Sequence, residues 1–325
     1  MYDAVVRILG AGYERNILKK QHVAKPVISV GNITLGGTGK TPLVAAIVGY
    51  LQGRGIRPAV LMRGYMADKK AAGSTSDEAL LLQRLCPGVP VVTGRDRAAQ
   101  ARRALADHAI DCFILDDGFQ HWRLHRDLDI VAIDAAQPFG NGHVLPRGIM
   151  REPFAALRRA DVFVITRADM GTENIDGIRS RLLAVNPYAL RVEAAHRPVG
   201  LRDVCAESMS MPLTFLHGKK ICSMCSIGNP ASFHRLLATL GAVCKENFSF
   251  IDHHRYTAAD IARVADVCRR EHIDTVITTA KDAVKLKEYC PQLRGAARLV
   301  CLNIAIELTK GKNEFFRRIT DLLDR

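Results

Sequence analysis

The sequence predicts a doubly wound α/β fold, a parallel sheet with helices on both faces, and three observations carry that prediction. Between residues 26 and 169, short β-rich runs alternate with stretches of helical period. The runs are continuously apolar and rich in β-branched residues, as strands buried on both faces must be. The first run leads through a glycine cluster directly into a helix, the context of a phosphate-binding loop (P-loop), so the domain is expected to be P-loop NTPase-like.

Taken in order, residues 1–20 place Tyr2, Val5, Val6, Leu9, Tyr13 and Ile17 on one helical face, with Arg7, Arg15 and Lys19 off it. The stripe fits a helix packed on its own domain or one lying on an anionic membrane surface. Gly10 and Gly12 weaken it as an independent helix and favour packing. Strands are predicted at 26–32, 57–65, 89–94, 110–117, 128–134 and 161–169, with helices at 41–52, 76–86 and 96–107. The pattern loosens from about 195 to 216, around Pro198 and Pro212. A second alternation follows: strands at 219–227, 242–250, 273–279 and 297–306, and helices at 230–241 and 257–272. The expected organisation is an N-terminal helix over 1–20, a P-loop domain over 21–195, a linker over 196–218, and a smaller α/β domain over 219–325 that closes over the active site.

Composition narrows the function classes. The 325 residues are 48% hydrophobic and 24% charged, which suits globular domains with real cores. No run of eighteen apolar residues exists, and the N-terminal apolar stretches are broken by Asp3, Arg7 and Glu14, so neither a spanning helix nor a signal peptide is expected. A cytoplasmic protein is the expectation. The net charge of +13 calls for an anionic partner. Basic runs and aromatic–basic interleaving are missing and aromatics are only 6%, so no nucleic acid is expected. Nine cysteines, mostly in apolar runs, read as reduced and buried thiols, and the single C-x-x-C at Cys222 and Cys225 reads as packing.

The glycine cluster, "GNITLGGTGKTPLV" over 31–44, departs from the generic phosphate-loop pattern, because Thr34 stands six residues before Lys40 where a glycine is usual. Gly36, Gly37 and Gly39 instead bring the tight turn closer to the lysine, so that backbone N–H groups around Thr38 converge on phosphate oxygens. Lys40 is then the cation for the β- and γ-phosphates, and Thr41 the hydroxyl for Mg²⁺. Asp116 and Asp117 end an apolar strand and supply the metal-side carboxylates. Gln120, His121, Arg123 and Arg126 follow in a polar connection, and a long irregular stretch over 141–153 carries Arg147, Arg151 and Glu152. Asp77 and Glu78 open a helix, where a general base facing an acceptor, or simply dipole-compensating acids, would sit. Asp252, His253 and His254 end a strand in the second domain, and adjacent histidines cannot both face one way. These residues point to a kinase or a switch ATPase and leave the acceptor open.

The ordered set "SVGNITLGGTGKTPLV", "RGY", "DEALLL", "DDGFQHWRLHRDLDIVAID", "GNGHVLPRGIMREP", "IGNPASF", "DHHRY" and "TTAKDAVK" resembles the tetraacyldisaccharide 4′-kinases of Gram-negative bacteria and spans about residues 27–286. The resemblance implies ATP-dependent phosphorylation of the 4′-hydroxyl of a tetraacyl disaccharide 1-phosphate, a lipid A precursor, at the cytoplasmic face of the inner membrane. It implies ATP and Mg²⁺ as cofactors, Asp77 as the base, His253 as its partner, and Arg151 and Glu152 near the acceptor with Glu78, Gln120 and His121. It also raises the membrane-surface reading of residues 1–20. This chain departs from the usual pattern at Met62, Ser76 and Ala79, where the family usually has serine, glycine and proline. The rival reading is a switch ATPase of the partition or septum-site type, whose loop carries a lysine before the first glycine; here that residue is Leu35.

Overall fold

The computed structural model describes residues 2–64, 76–170, 175–206, 209–252 and 254–324. Along the chain run α1 (Tyr2–Glu14), β1 (Val27–Gly31), α2 (Lys40–Gln52), β2 (Pro58–Met62), α3 (Asp77–Leu85), β3 (Val91–Thr93), α4 (Arg97–Asp107), β4 (Cys112–Asp116), β5 (Leu128–Asp134), β6 (Val162–Thr166), α5 (Ile175–Val185) and β7 (Leu190–Asp203). There follow β8 (Ser210–Met211), β9 (Lys220–Cys225), α6 (Pro230–Thr239), β10 (Val243–Ser249), α7 (Ala258–Arg270), β11 (Thr275–Thr279), α8 (Ala280–Leu286), α9 (Cys290–Leu293), β12 (Arg298–Lys310) and α10 (Lys312–Leu323).

Two compact units result. Unit 1 holds Met1–His196 with Ile306–Arg325, and unit 2 holds Arg197–Ala305. The division corrects the expected one in two places. Residues 196–218, expected as a linker, contain the end of β7, all of β8 and a short 3₁₀ turn at Leu213–Leu216. Residues 306–325, expected in the second domain, return to unit 1, because Phe315 and Ile319 of α10 are buried in its core and Phe316 stacks on Tyr50 of α2 at 3.9 Å.

In unit 1 the strands lie in the order β7-β6-β5-β1-β4-β2-β3, each neighbouring pair parallel. Successive side chains of a strand point to opposite faces, and here both faces are apolar. Ile28, Val60, Ile114, Ile130 and Val164 share one core with Leu43, Ile47 and Leu51 of α2. On the other face, Phe113 and Leu115 pack with the alanines of α4, and Val131, Phe163 and Ile165 with Ile178 and Leu182 of α5. This is why β1, β2, β4, β5 and β6 read as largely apolar runs. Strands β2–β4 lie to one side of β1 and β5–β7 to the other, so the strand order reverses at β1 and opens a crevice at its C-terminal end.

Helix α1 is shorter than the expected 1–20 and stops at Glu14, with Asn16 at φ 56° beyond it and Ile17 outside the helix. It touches unit 1 through Tyr13 against Trp122 and a hydrogen bond from the Tyr2 hydroxyl to the Arg151 carbonyl at 3.2 Å. None of its residues is buried, and Val5, Ile8 and Leu9 stand exposed. Among the described residues no helix is long and apolar enough to cross a membrane.

Unit 2 has the parallel order β10-β9-β11-β12, with β8 antiparallel to Leu201 and Arg202 of β7. Cys222 and Cys225, three apart on β9, fall into different cores, so the C-x-x-C is packing. The expectation of reduced thiols is corrected at one pair: Cys205 and Cys290 form a disulfide, their Cα atoms 5.6 Å apart, and the other seven cysteines are free.

Candidate functional site: a phosphate loop facing two carboxylates

The site grows from three chain reversals at the C-terminal edge of the unit 1 sheet. After β1, residues 32–39 loop over and Gly39, at φ +81°, starts α2, whose first residue is Lys40. The left-handed turn requires glycine, and a Cβ there would also lie 2.7 Å from Nε2 of His196. The helix therefore directs its free N-terminal N–H groups and Lys40 at the crevice, an anion site by construction. Gly36 and Gly37 are exposed, Thr38 is buried, and Thr41 is half-buried in the first turn of α2.

The second reversal is Asp116-Asp117-Gly118. Asp117 adopts φ 54°, and a side chain on Gly31 would collide with Phe119 at 2.5 Å, so glycine at the end of β1 lets the two turns lie against each other. The third is the stretch over 141–153. It pairs with the start of the phosphate loop: Leu35 N–H donates to the Ile149 carbonyl at 2.7 Å and Arg151 N–H to the Ile33 carbonyl at 2.6 Å.

Together these turns assemble one charged network. Lys40 Nζ lies 3.5 Å from Asp117 Oδ1, and Arg151 Nη1 donates to the same oxygen at 2.7 Å. Asn32 Oδ1 accepts from Lys40 Nζ at 3.0 Å and from Arg151 Nη1 at 3.3 Å. Gln120 Nε2 donates to the Asn32 carbonyl at 2.9 Å. The two adjacent carboxylates are driven apart in charge. For Asp116, burial, then the neighbouring Asp117 and Glu78, push the carboxyl up to about 7. For Asp117, burial opposes ionisation, but Lys40 and Arg151 overcome it and hold the group at about 2.

The residues fit a divalent cation on one observation: Oδ1 of Asp116 is buried and has no hydrogen-bond partner. Mg²⁺ binds through one or two carboxylates plus phosphate oxygens, so a large ligand cluster is not required; among the described residues no group of three or more His, Cys, Asp or Glu forms one. Asp77 and Glu78 open α3, both half-buried, with Ser76 capping the helix at the Ala79 N–H. His121 is partly buried, and its imidazole is pushed down to about 4 by burial and then by Arg97 and Arg126, so it is a neutral ring.

Glu152 is placed differently from its expected acceptor-binding role. It is 1% exposed and lies in a salt bridge to Arg159 at 2.8 Å, while Arg159 packs over the Phe119 ring at 4.5 Å. Its carboxylate anchors the end of the 141–153 stretch and does not face solvent. His253 lies outside the described residues. Of its neighbours, Asp252 pairs with Lys281 at 2.9 Å and His254 Nε2 with Asp260 at 3.0 Å.

A family model described as tetraacyldisaccharide-1-P 4′-kinase matches residues 1–324. The chain belongs to this kinase family. A tetraacyldisaccharide 4′-kinase of Halothermothrix orenii is 40% identical over 309 residues, 88% of this chain and 80% of the relative. One from Anaeromyxobacter dehalogenans (strain 2CP-C) is 39% identical over 95% of this chain and 85% of its own. Among solved structures, LpxK from Aquifex aeolicus in complex with ATP superposes with a TM-score of 0.76 at 28% identity, covering 99% of this chain and 96% of that one. The P-loop kinase fold read from the sequence agrees with that likeness, and the switch-ATPase alternative is not favoured.

Within the kinase family frame, several residues that sequence reasoning passed over prove central. Asn32, inside the quoted "SVGN" but given no role, is the hub between Lys40 and Arg151. Thr166 and Arg167 brace the phosphate loop from β6: Thr166 Oγ1 donates to the Thr38 carbonyl and Arg167 Nη2 to the Gly37 carbonyl, each at 2.9 Å. The available signal was a polar Thr-Arg pair ending an apolar strand beside β5.

Proposed function

We propose that the protein transfers the γ-phosphoryl group of ATP to the 4′-hydroxyl of a tetraacyl disaccharide 1-phosphate, a step of lipid A synthesis. The observation that carries this reading is the phosphate loop set against Asp117 and Arg151, with Lys40 3.5 Å from the carboxylate. In such a site the α2 N-terminus and Lys40 bind the phosphates, and Arg151 offsets charge on the moving phosphoryl group. Asn32 holds both cations in position through one oxygen. Asp77 takes the proton of the sugar hydroxyl, and His253 is assigned to polarise it. Asp116, Asp117 and the Thr41 hydroxyl would hold Mg²⁺, which supplies charge neutralisation across the β- and γ-phosphates. Its positive charge would also favour the ionised form of Asp116.

The same reading places the protein peripherally at the cytoplasmic face of the inner membrane. Exposed Val5, Ile8 and Leu9 on α1 and the net charge of +13 support it, since an apolar helix face beside cations suits an anionic surface. The test is transfer of labelled γ-phosphate from ATP to tetraacyl disaccharide 1-phosphate in detergent micelles. The expected result is a bisphosphorylated product that requires Lys40. An enzyme that binds ATP but forms no such product under those conditions would overturn the reading.

A further inference from the structure

We propose that Lys285, held by the buried carboxylate of Asp282, is a positioning residue for phosphoryl transfer: by gripping the His254 carbonyl it fixes the chain that carries His253. The proposal rests on the reading of His253 as the partner of Asp77 and names what anchors its neighbours.

All the residues concerned lie within unit 2. In the order β10-β9-β11 the three strands are parallel, and the chain passes from β9 to β10 on one side and to β11 on the other. Such a reversal leaves a crevice at the C-terminal ends of the strands. Ser226 follows β9, Thr279 ends β11 and opens α8, and the segment 250–256 leaves β10.

Asp282, in the first turn of α8, is fully buried and ties two of these strand ends together. Its Oδ2 accepts from the Ser226 N–H at 2.9 Å and from the Thr279 hydroxyl at 2.7 Å, and its Oδ1 accepts from the Ser226 hydroxyl. A carboxylate this buried requires a cation beside it, and Lys285, three residues on, places Nζ 3.6 Å from Oδ1. The same ammonium donates to Ser226 Oγ at 3.0 Å and to the His254 carbonyl at 3.2 Å. The buried ion pair is thereby bound to the third strand end.

Helix α8 also holds the residue on the other side of position 253, because Lys281 Nζ donates to Asp252 Oδ1 at 2.9 Å. His254 is steadied further by stacking on Phe250 at 4.5 Å and by Asp260. Successive Cα atoms are about 3.8 Å apart, so anchoring residues 252 and 254 to one helix restricts the backbone that joins them. The segment "TTAKDAVK" gains a role, since Thr279, Lys281, Asp282 and Lys285 all take part.

The experiment measures transfer from ATP to tetraacyl disaccharide 1-phosphate by the full chain as wild type, Lys285→Met, His253→Ala and the double variant. Methionine keeps the aliphatic stem and removes the ammonium. Lys285→Met should lower kcat by about tenfold or more, the scale for a displaced reacting group, with KM for ATP within about twofold of wild type. Added to His253→Ala, it should slow the enzyme by less than about twofold, because a residue acting through His253 has nothing left to act on. A merely structural role would slow both backgrounds by the same factor, and that result would overturn the proposal, as would wild-type kcat in Lys285→Met. Asp282→Asn combined with Lys285→Met removes the stranded charge. It should regain whatever Tm Lys285→Met loses without regaining kcat, and recovery of kcat would overturn the proposal. Failure of the underlying reading looks different: His253→Ala itself would then turn over at the wild-type rate, leaving nothing to position.

Discussion

Arg151 Nη1 meets Asp117 Oδ1 at 2.7 Å across the mouth of the phosphate loop, joining a residue of the irregular 141–153 stretch to the end of β4. Because Asn32 and Lys40 share the same few ångströms, the pair belongs to a preformed electrostatic cradle. Arg151→Met removes a donor aimed at the phosphoryl group while sparing the aliphatic stem. Its kcat should fall by about 10²-fold, the scale for losing one preorganised donor. Steady-state kinetics in ATP and acceptor checks this, and a variant with wild-type kcat would remove Arg151 from the site.

The neighbouring carboxylates should respond oppositely to neutralisation. Asp116 sits at about 7 when folded, above the ordinary unfolded value, so its ionisation costs stability as pH climbs from about 4 to about 7. Asp116→Asn should therefore raise the Tm of the nucleotide-free protein at about pH 8 and change it little at about pH 4. Asp117, held at about 2, stabilises the fold above the unfolded value and loses that contribution as pH falls through about 2. Asp117→Asn should lower Tm at about pH 8. Thermal melts across pH decide it, and equal signs for the two variants would contradict the charge assignment.

Asp77 and Lys40 should separate chemistry from binding. Asp77→Ala should reduce turnover by about 10²–10⁴-fold, the range for a general base, with ATP affinity nearly unchanged. Lys40→Ala should weaken ATP binding and slow turnover together, since that ammonium contacts phosphate in both ground and transition states. Nucleotide titration calorimetry beside initial rates distinguishes the two. Near-wild-type turnover in the Asp77 variant would exclude it as the base.

Glu152 should behave as a structural anchor. Removing one member of a buried ion pair strands the other, and Glu152→Ala should cost about 3 kcal/mol of stability. The loss should exceed that of the double variant Glu152→Ala with Arg159→Met, which leaves no uncompensated charge. Denaturant unfolding measures both. A single variant as stable as wild type would return Glu152 to the acceptor-binding role expected from sequence.

How much of this was legible in the sequence follows from which forces act locally. Strands β1, β2, β4, β5 and β6 were readable because burial on both faces makes them largely apolar runs, whereas β7 was not, because Arg191, Glu193 and Arg202 interrupt its pattern. The phosphate loop, Lys40 and Asp116-Asp117 were readable because glycine positions and strand ends carry their geometry in the chain itself. Asn32 and Arg167 were not, because their roles are defined by partners up to 130 positions away. Glu152 was misplaced for a related reason. A carboxylate beside Arg151 reads as part of the acceptor site until Arg159, seven residues on, is seen to pair with it. Residues 306–325, which hold the last helix, were assigned to the wrong unit because position along the chain does not state which core covers a segment.

That last helix has a consequence for how the protein is made. The apolar surface that α2 offers to Phe315, Phe316 and Ile319 stays bare until residues 306–323 have been synthesised. Residues 197–305 of unit 2 are all synthesised before then. The core of the nucleotide-binding unit is therefore completed by a segment that follows unit 2 in the chain, and it cannot close until unit 2 has been made.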